Sequence, residues 1–309
     1  MGKRERGGRW VENPEDIGEV SDPNFVRLPD PRSLFAFRAD RMRSLAAGNP
    51  LGDYLTFLAA LASAQHALAT GLPDPPAFAP DLLATRIGAA VPPLAPDLLG
   101  DESGRFNVLL TGLLDGVELA AAPEAARHAC AQVGRMPWPE RLQTAEAIFT
   151  GSYPAEHLAE TVFIASALQV FLASHAAALP ANRLKAVGDG VCPACGSAPV
   201  ASMIVSWPSA SRVRYCACSL CQTLWNSVRI KCTSCGSTKQ IAYYSSEQLP
   251  ATVAVETCGV CRCYIKHFGR HQDPALDPVA DDIASFGLDV KIREDGFRPG
   301  GINPLMISG

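Results

Sequence analysis

Apolar residues recur at helical spacing over the first two-thirds of the chain, then give way to β-branched and aromatic runs beyond Val187–Gly190. In the longest periodic segment Leu158, Val162, Ala165, Leu168, Leu172, Ala176 and Leu179 step by three and four. Phe163, Ile164 and Phe171 widen that stripe, which predicts a central helix surrounded by others. Further helices are predicted at about 32–47, 51–70, 80–90, 105–121, 123–133 and 137–150. Proline clusters at 73–76 and 92–97 mark connections between them. Past residue 190, Val200–Trp207, Arg212–Tyr215, Leu224–Ile230, Gln240–Tyr244 and Thr252–Val255 read as the strands of short hairpins. After Gln272 a helical pattern returns, with Val279, Ile283, Phe286 and Val290 expected on one face. Residues 1–30 are rich in Gly, Pro and charge and predict a loosely docked arm.

The expected fold class is therefore α+β. The arm at 1–30 precedes an all-α domain at 31–187, two tandem small β modules at 188–227 and 228–271, and a C-terminal helix and tail at 272–309. Two apolar stretches invite comparison with membrane spans. Residues 51–72 contain Asp53, Gln65 and His66, and residues 158–179 contain Glu160, Gln169 and His175. Neither offers the ~18 uninterrupted apolar residues of a span, so no stable membrane insertion is expected. The basic start, MGKRERGGRW, has no apolar run behind it, which predicts a chain that stays in the cytoplasm. A net charge of −4 argues against general binding of nucleic acid.

Cysteine changes the picture most. Ten of the eleven cysteines lie between Cys192 and Cys263. In a compartment that keeps thiols reduced, such density reads as metal ligation. Four Cys-x-x-Cys knuckles stand out: Cys192/Cys195, Cys218/Cys221, Cys232/Cys235 and Cys258/Cys261. Twenty-two residues separate the first knuckle from the second, and twenty-two separate the third from the fourth. The whole unit recurs with a period of 40, and the match extends to CPACGS at 192–197 and CTSCGS at 232–237, as an internal duplication leaves it.

Two thiolates three residues apart fill two corners of a tetrahedron, and a second knuckle across a hairpin fills the other two. The repeat favours pairing first with second and third with fourth over a rival that joins the middle two knuckles. Gly196 and Gly236 follow their knuckles and supply positive φ; Gln222 and Arg262 stand at the equivalent places of the second knuckles, where the signature is weaker. From Cys192 to Gln272 there are eight Lys and Arg against two acids, a balance of +6. Two divalent ions with four thiolates each carry about −4 together, so the basic residues largely offset the sites.

Other candidates read as structural. Cys216 and Cys263 fall out of register with the repeat, opposite Glu256 and Thr223, and are expected to be buried thiols. Cys130 is expected in the helical core, and Trp225, Tyr243 and Tyr244 in the hairpin core. His267 and His271 share a face if their segment is helical, and are expected to be a solvated pair. No Ser/His/Asp set, phosphate loop or suitably spaced carboxylate pair is visible, so the chain is not expected to be an enzyme.

The chain resembles the FdhE family of formate dehydrogenase accessory proteins. The residues that carry the likeness are CPACGS, CSLCQTLWNSVRIKCTSCGS at 218–237 and ETCGVCRCYIK at 256–266. DPALDPVADDIASFGLD at 273–289, INPL at 302–305 and NPLGDYLTFLAALA at 49–62 add to it. It covers nearly the whole chain from about residue 30, and ordinary zinc ribbons lack the segment that joins the second and third knuckles. The resemblance implies a cytoplasmic assembly chaperone that binds the catalytic subunit of respiratory formate dehydrogenase before export. It also implies rubredoxin-like knuckles associated with iron, whereas four thiolates by themselves suit iron or zinc equally. Only Cys192, Cys195, Cys218, Cys221, Cys232, Cys235, Cys258 and Cys261 carry over as ligands. A redox protein that delivers electrons through four-cysteine iron centres during maturation, and a zinc-ribbon protein that binds nucleic acid, are the rival readings.

Overall fold

The computed structural model describes residues 23–100, 104–207, 210–246 and 249–307. Of the expected arm, residues 1–22 lie outside this range, whereas Val26–Arg27 form a strand, β1, paired with a strand two hundred residues away. Helix α1 (Pro31–Ala46) starts where Asp30 accepts hydrogen bonds from Arg32 N at 3.1 Å and Ser33 Oγ at 2.6 Å, with proline at the first helical position. Then follow α2 (Gly52–Gly71), α3 (Pro80–Gly88), α4 (Arg105–Gly116), α5 (Glu124–Arg135), α6 (Trp138–Phe149) and α7 (Leu158–Ala177).

Helix α7 is the axis of this part, as its sequence predicts. It packs against α1, α2, α4, α5 and α6, and nearly every residue from Thr161 to Ala176 is buried. The segment Ala155–Ala177 is long and apolar enough to cross a membrane, but 67% of its apolar window is buried inside the protein. Its polar side chains find partners within the core: Gln65 Nε2 donates to Ser166 O at 2.9 Å and to Gln169 Oε1 at 3.2 Å.

The remaining strands are β2 (Pro199–Trp207), β3 (Ala210–Cys218), β4 (Leu224–Asn226), β5 (Ile241–Tyr244), β6 (Val253–Cys258) and β7 (Cys263–Phe268). Helices α8 (Ala280–Ala284) and α9 (Phe286–Glu294) and strand β8 (Arg298–Pro299) complete the chain. The strands form one mixed sheet in the order β1-β4-β3-β2-β7-β6-β5, with β8 parallel to β7. Within it the duplication is visible residue by residue. Ala217 faces Leu224 and Cys216 faces Trp225 across β3–β4, and forty residues on, Thr257 faces Tyr264 and Glu256 faces Ile265 across β6–β7. The copies join where β2 runs parallel to β7, with Ser202 opposite His267 and Met203 opposite Phe268.

Three sequence expectations give way here. Strand β4 stops at Asn226, and the chain beyond it bends over Arg214, whose Nη1 donates to Val228 O, Arg229 O and Lys231 O at 3.1–3.4 Å. His267 lies on β7, hydrogen-bonded through Nδ1 to Ser202 Oγ at 2.8 Å, so it does not share a helical face with His271. The C-terminal helix breaks at Ser285; Val279 and Ile283 are buried as expected, but Leu288 and Ile292 replace Val290, which is exposed.

Buried ion pairs fasten the parts together. Arg38 Nε of α1 donates to Asp277 Oδ1 at 3.1 Å, and Asp277 also caps α8 through Val279 N and Ala280 N. Arg41 forks onto Asp281 at 2.6–3.2 Å. Between the two β copies, Arg214 Nη2 donates to Glu256 Oε1 at 2.9 Å, and Tyr243 Oη donates to Glu256 Oε2 at 2.7 Å. Removing one partner of such a pair strands a buried charge. Glu256→Ala is therefore expected to lower unfolding stability by about 3–5 kcal/mol in denaturant titration; a loss under about 1 kcal/mol would show that the seam is not held by this pair.

Acid stability gives a second test. Burial, with the charges of Arg214 and Arg229 nearby, pushes His267 down to about 3. The unfolded chain protonates this residue near 6.5 and so binds more protons between those values. The contribution of neutral His267 is intact above about pH 6.5 and is lost as pH falls toward 3. Asp281 has the opposite sign: burial, opposed by Arg41, raises it to about 6, so its contribution fades as pH rises through that value. Between about pH 7 and about 4.5, His267→Gln is expected to lose less Tm than the native chain. Parallel Tm curves for the two proteins would contradict this.

Candidate metal centres

Each knuckle is a tight turn closed by its own backbone. Cys192 N donates to Ser197 O at 3.0 Å and Gly196 N to Cys192 O at 2.8 Å; the counterparts Cys232 N to Ser237 O and Gly236 N to Cys232 O measure 2.8 and 3.0 Å. Gly196 and Gly236 have φ of 79° and 69°, as their place predicts. The second knuckles make the same left-handed turn without glycine, since Gln222 has φ 64° and Arg262 φ 59°. Side-chain anchors accompany each of these turns. Gln222 Nε2 donates to Ser219 O and Leu220 O, while its Oε1 accepts from Arg38 Nη2 at 2.7 Å. Arg262 stacks 3.8 Å over the Phe297 ring and donates to Asp295 O.

The hairpins bring the knuckles together as the repeat predicts, first with second and third with fourth. Cys192 Sγ lies 3.5 Å from Cys221 Sγ and Cys195 Sγ 3.4 Å from Cys218 Sγ. In the second quartet Cys232 to Cys261 measures 3.6 Å and Cys235 to Cys258 3.8 Å. All four sulfurs of each quartet lie within 4.8 Å of one another. A tetrahedron with metal–sulfur bonds of about 2.3 Å has edges of about 3.8 Å, so both quartets are sized for a thiolate-bound ion such as zinc or iron.

Polar groups of the knuckles lie against three of the first quartet's sulfurs. Ser197 Oγ lies 3.4 Å from Cys195 Sγ and Thr223 Oγ1 3.2 Å from Cys221 Sγ, while Leu220 N donates to Cys218 Sγ. Burial raises Cys192 and Cys218 and acts on Cys195 too. Hydrogen bonds from the other three thiols and Ser197 nonetheless hold Cys195 well below the usual thiol range. In the second quartet burial raises Cys232 and Cys261; it acts on Cys258 too, but N–H groups of Cys261 and Val260 hold that thiol low. One thiolate shared among neighbouring thiols is what a quartet does until a cation replaces their protons.

The helical part grips the first quartet directly. Gln169 Nε2 of α7 donates to Ser219 O and Leu94 N to Ala194 O, both at 2.9 Å, and Arg38 holds Gln222. These contacts were not legible in the sequence.

Among the other candidates, Cys216 and Cys263 are buried outside both quartets, and burial pushes Cys216 up to about 11. Cys130 is half-buried on α5, packed against the core. Trp225 is buried, but Tyr243, on the sheet's last strand β5, is half exposed, while its hydroxyl donates to Glu256 Oε2 and Arg229 O.

Three consecutive FdhE family regions match this chain: the N-terminal region over residues 23–189, the central domain over 191–229 and the C-terminal domain over 230–306. A protein FdhE homolog from Rhizobium meliloti (strain 1021) is 36% identical over 297 residues, spanning 96% of this chain and 97% of that protein. One from Pseudomonas aeruginosa is 38% identical over 311 residues, spanning 97% and 99%. The crystal structure of the FdhE protein from Pseudomonas aeruginosa superposes with a TM-score of 0.81 at 36% identity, covering 92% of this chain and 99% of that one. This α+β chain, with its two four-cysteine metal-binding sites, belongs to the FdhE family.

Proposed function

We propose that this chain is an accessory protein in the maturation of formate dehydrogenase, binding the enzyme's catalytic subunit in the cytoplasm and carrying no catalytic site of its own. The observation that carries this reading is membership of the FdhE family along the chain from residue 23 to 306, both four-cysteine sites included. On this reading the all-α part at 31–187 and the two metal modules at 188–227 and 228–271 together form the surface that holds the immature subunit.

The ligands are Cys192, Cys195, Cys218 and Cys221 for one ion, and Cys232, Cys235, Cys258 and Cys261 for the other. The ion is iron, in rubredoxin-like centres. Iron in four thiolates supplies one-electron chemistry when bound. This chain's own residues position the sulfurs, set the Ser197 and Thr223 hydroxyls within hydrogen-bond distance of Cys195 and Cys221, and bury the first centre.

The catalytic subunit of formate dehydrogenase is expected to co-purify with the full chain and to be lost from the Cys218→Ser/Cys221→Ser double variant. Undiminished formate dehydrogenase activity in a strain lacking this chain would contradict the proposal. Freshly purified protein is expected to be red with ferric thiolate absorption, and a colourless sample with two zinc ions would overturn the choice of iron.

A further inference from the structure

The two quartets share their spacing but not their surroundings. Cys192, Cys195, Cys218 and Cys221 are all buried, at 0–5% exposure. In the second quartet only Cys232 and Cys258 are buried; Cys235 is exposed and Cys261 half-buried. The first quartet lies under the helical part, held by Leu94, Gln169 and Arg38, with Pro92 against Gly196. The second is touched by thinner cover: the connecting segment at Asp189 and Gly190, and the tail at Asp295, Phe297 and Gly300. The hydroxyl contacts differ as well. Ser237, the counterpart of Ser197, bonds to Lys239 instead of a sulfur, and Cys263 stands where the first copy has Thr223. The β5–β6 hairpin that carries Cys258 lies at the outer end of the sheet, with β5 as its last strand.

Departure of a thiolate-bound ion requires an entering ligand to reach it while a protein sulfur lets go. A buried quartet under a helical roof blocks the approach, and a quartet with an exposed cysteine in its knuckle turn admits it. We propose that the two centres differ in kind: the first holds its ion permanently, as part of the joint between helices and sheet, while the second exchanges its ion in the folded protein with thiol-bearing metal carriers that enter beside Cys235. In each step the entering thiol gives up its proton as its sulfur bonds the ion, and a protein sulfur, Cys235 first, leaves the ion and takes a proton. No electrons move, and the metal keeps its oxidation state. The inequality is independent of the client proposed above, since it concerns only the cover over each quartet.

The test uses the full chain loaded with two zinc ions and challenged with the dithiol 2,3-dimercaptopropanol. Metal remaining on the protein is followed in time, and freed thiols are trapped with N-ethylmaleimide and mapped by mass spectrometry. One ion is expected to leave at least about tenfold faster than the other, with unchanged far-UV circular dichroism and with label on Cys232, Cys235, Cys258 and Cys261 well before any on Cys192, Cys195, Cys218 and Cys221. The Cys235→Ser variant is expected to lose the fast phase and keep the slow one. Release of both ions at one rate, or first labelling of the Cys192 quartet, would overturn the proposal. The label map of the native chain decides the matter even if the variant fails to fold.

Discussion

Four sulfur atoms within 4.8 Å of one another cannot all be thiolates unless a cation lies among them. That electrostatic constraint, met twice, organises the C-terminal half of the molecule. Each forty-residue copy is too small to hold three short strands by apolar burial alone, and metal binding worth on the order of 10 kcal/mol makes up the difference. The paired knuckles close the ends of the hairpins, the hairpins fix the register of the sheet, and the sheet presents the knuckle backbones to the helices.

The helical part depends on this arrangement as much as it supports it. Helix α7 donates through Gln169 to a carbonyl of the second knuckle, and α1 reaches through Arg38 to both Gln222 and Asp277. Arg38 is fully buried, so its charge is acceptable only because Asp277 and Gln222 are in place. Strand β1 returns the start of the described chain to the far edge of the sheet beside β4. Helices, first metal quartet and C-terminal turn therefore form one joint, while the second quartet sits beyond it at the sheet edge.

Much of this was legible in the sequence because its signals are local and periodic. The 3–4 spacing from Leu158 to Leu179 marks a buried helix, and the forty-residue period of the knuckles predicts which sulfurs meet. What was not legible rests on partners far apart in the chain. Positive φ at Gln222 and Arg262 has no glycine to announce it, and each turn carries side-chain anchors from Arg38 or to Asp295 and Phe297. Strand β7 is hard to foresee because Lys266 and His267 interrupt its apolar run; inside the fold Lys266 pairs with Asp282 and Asp289, and His267 with Ser202. The break at Ser285 likewise follows from packing, since its hydroxyl bonds back to Asp281 O at 2.6 Å and sets α9 on a new face.

The convergence of eight sulfurs on two ions is tested most directly by X-ray absorption at the metal edge of the purified full chain, alongside a count of metal per chain. The structure predicts two ions per chain, each with four sulfur neighbours at about 2.3 Å and no nitrogen or oxygen in the first coordination sphere. Fewer than two ions, a mixed sulfur and nitrogen or oxygen shell, or sulfur–sulfur bonds among these cysteines would contradict it.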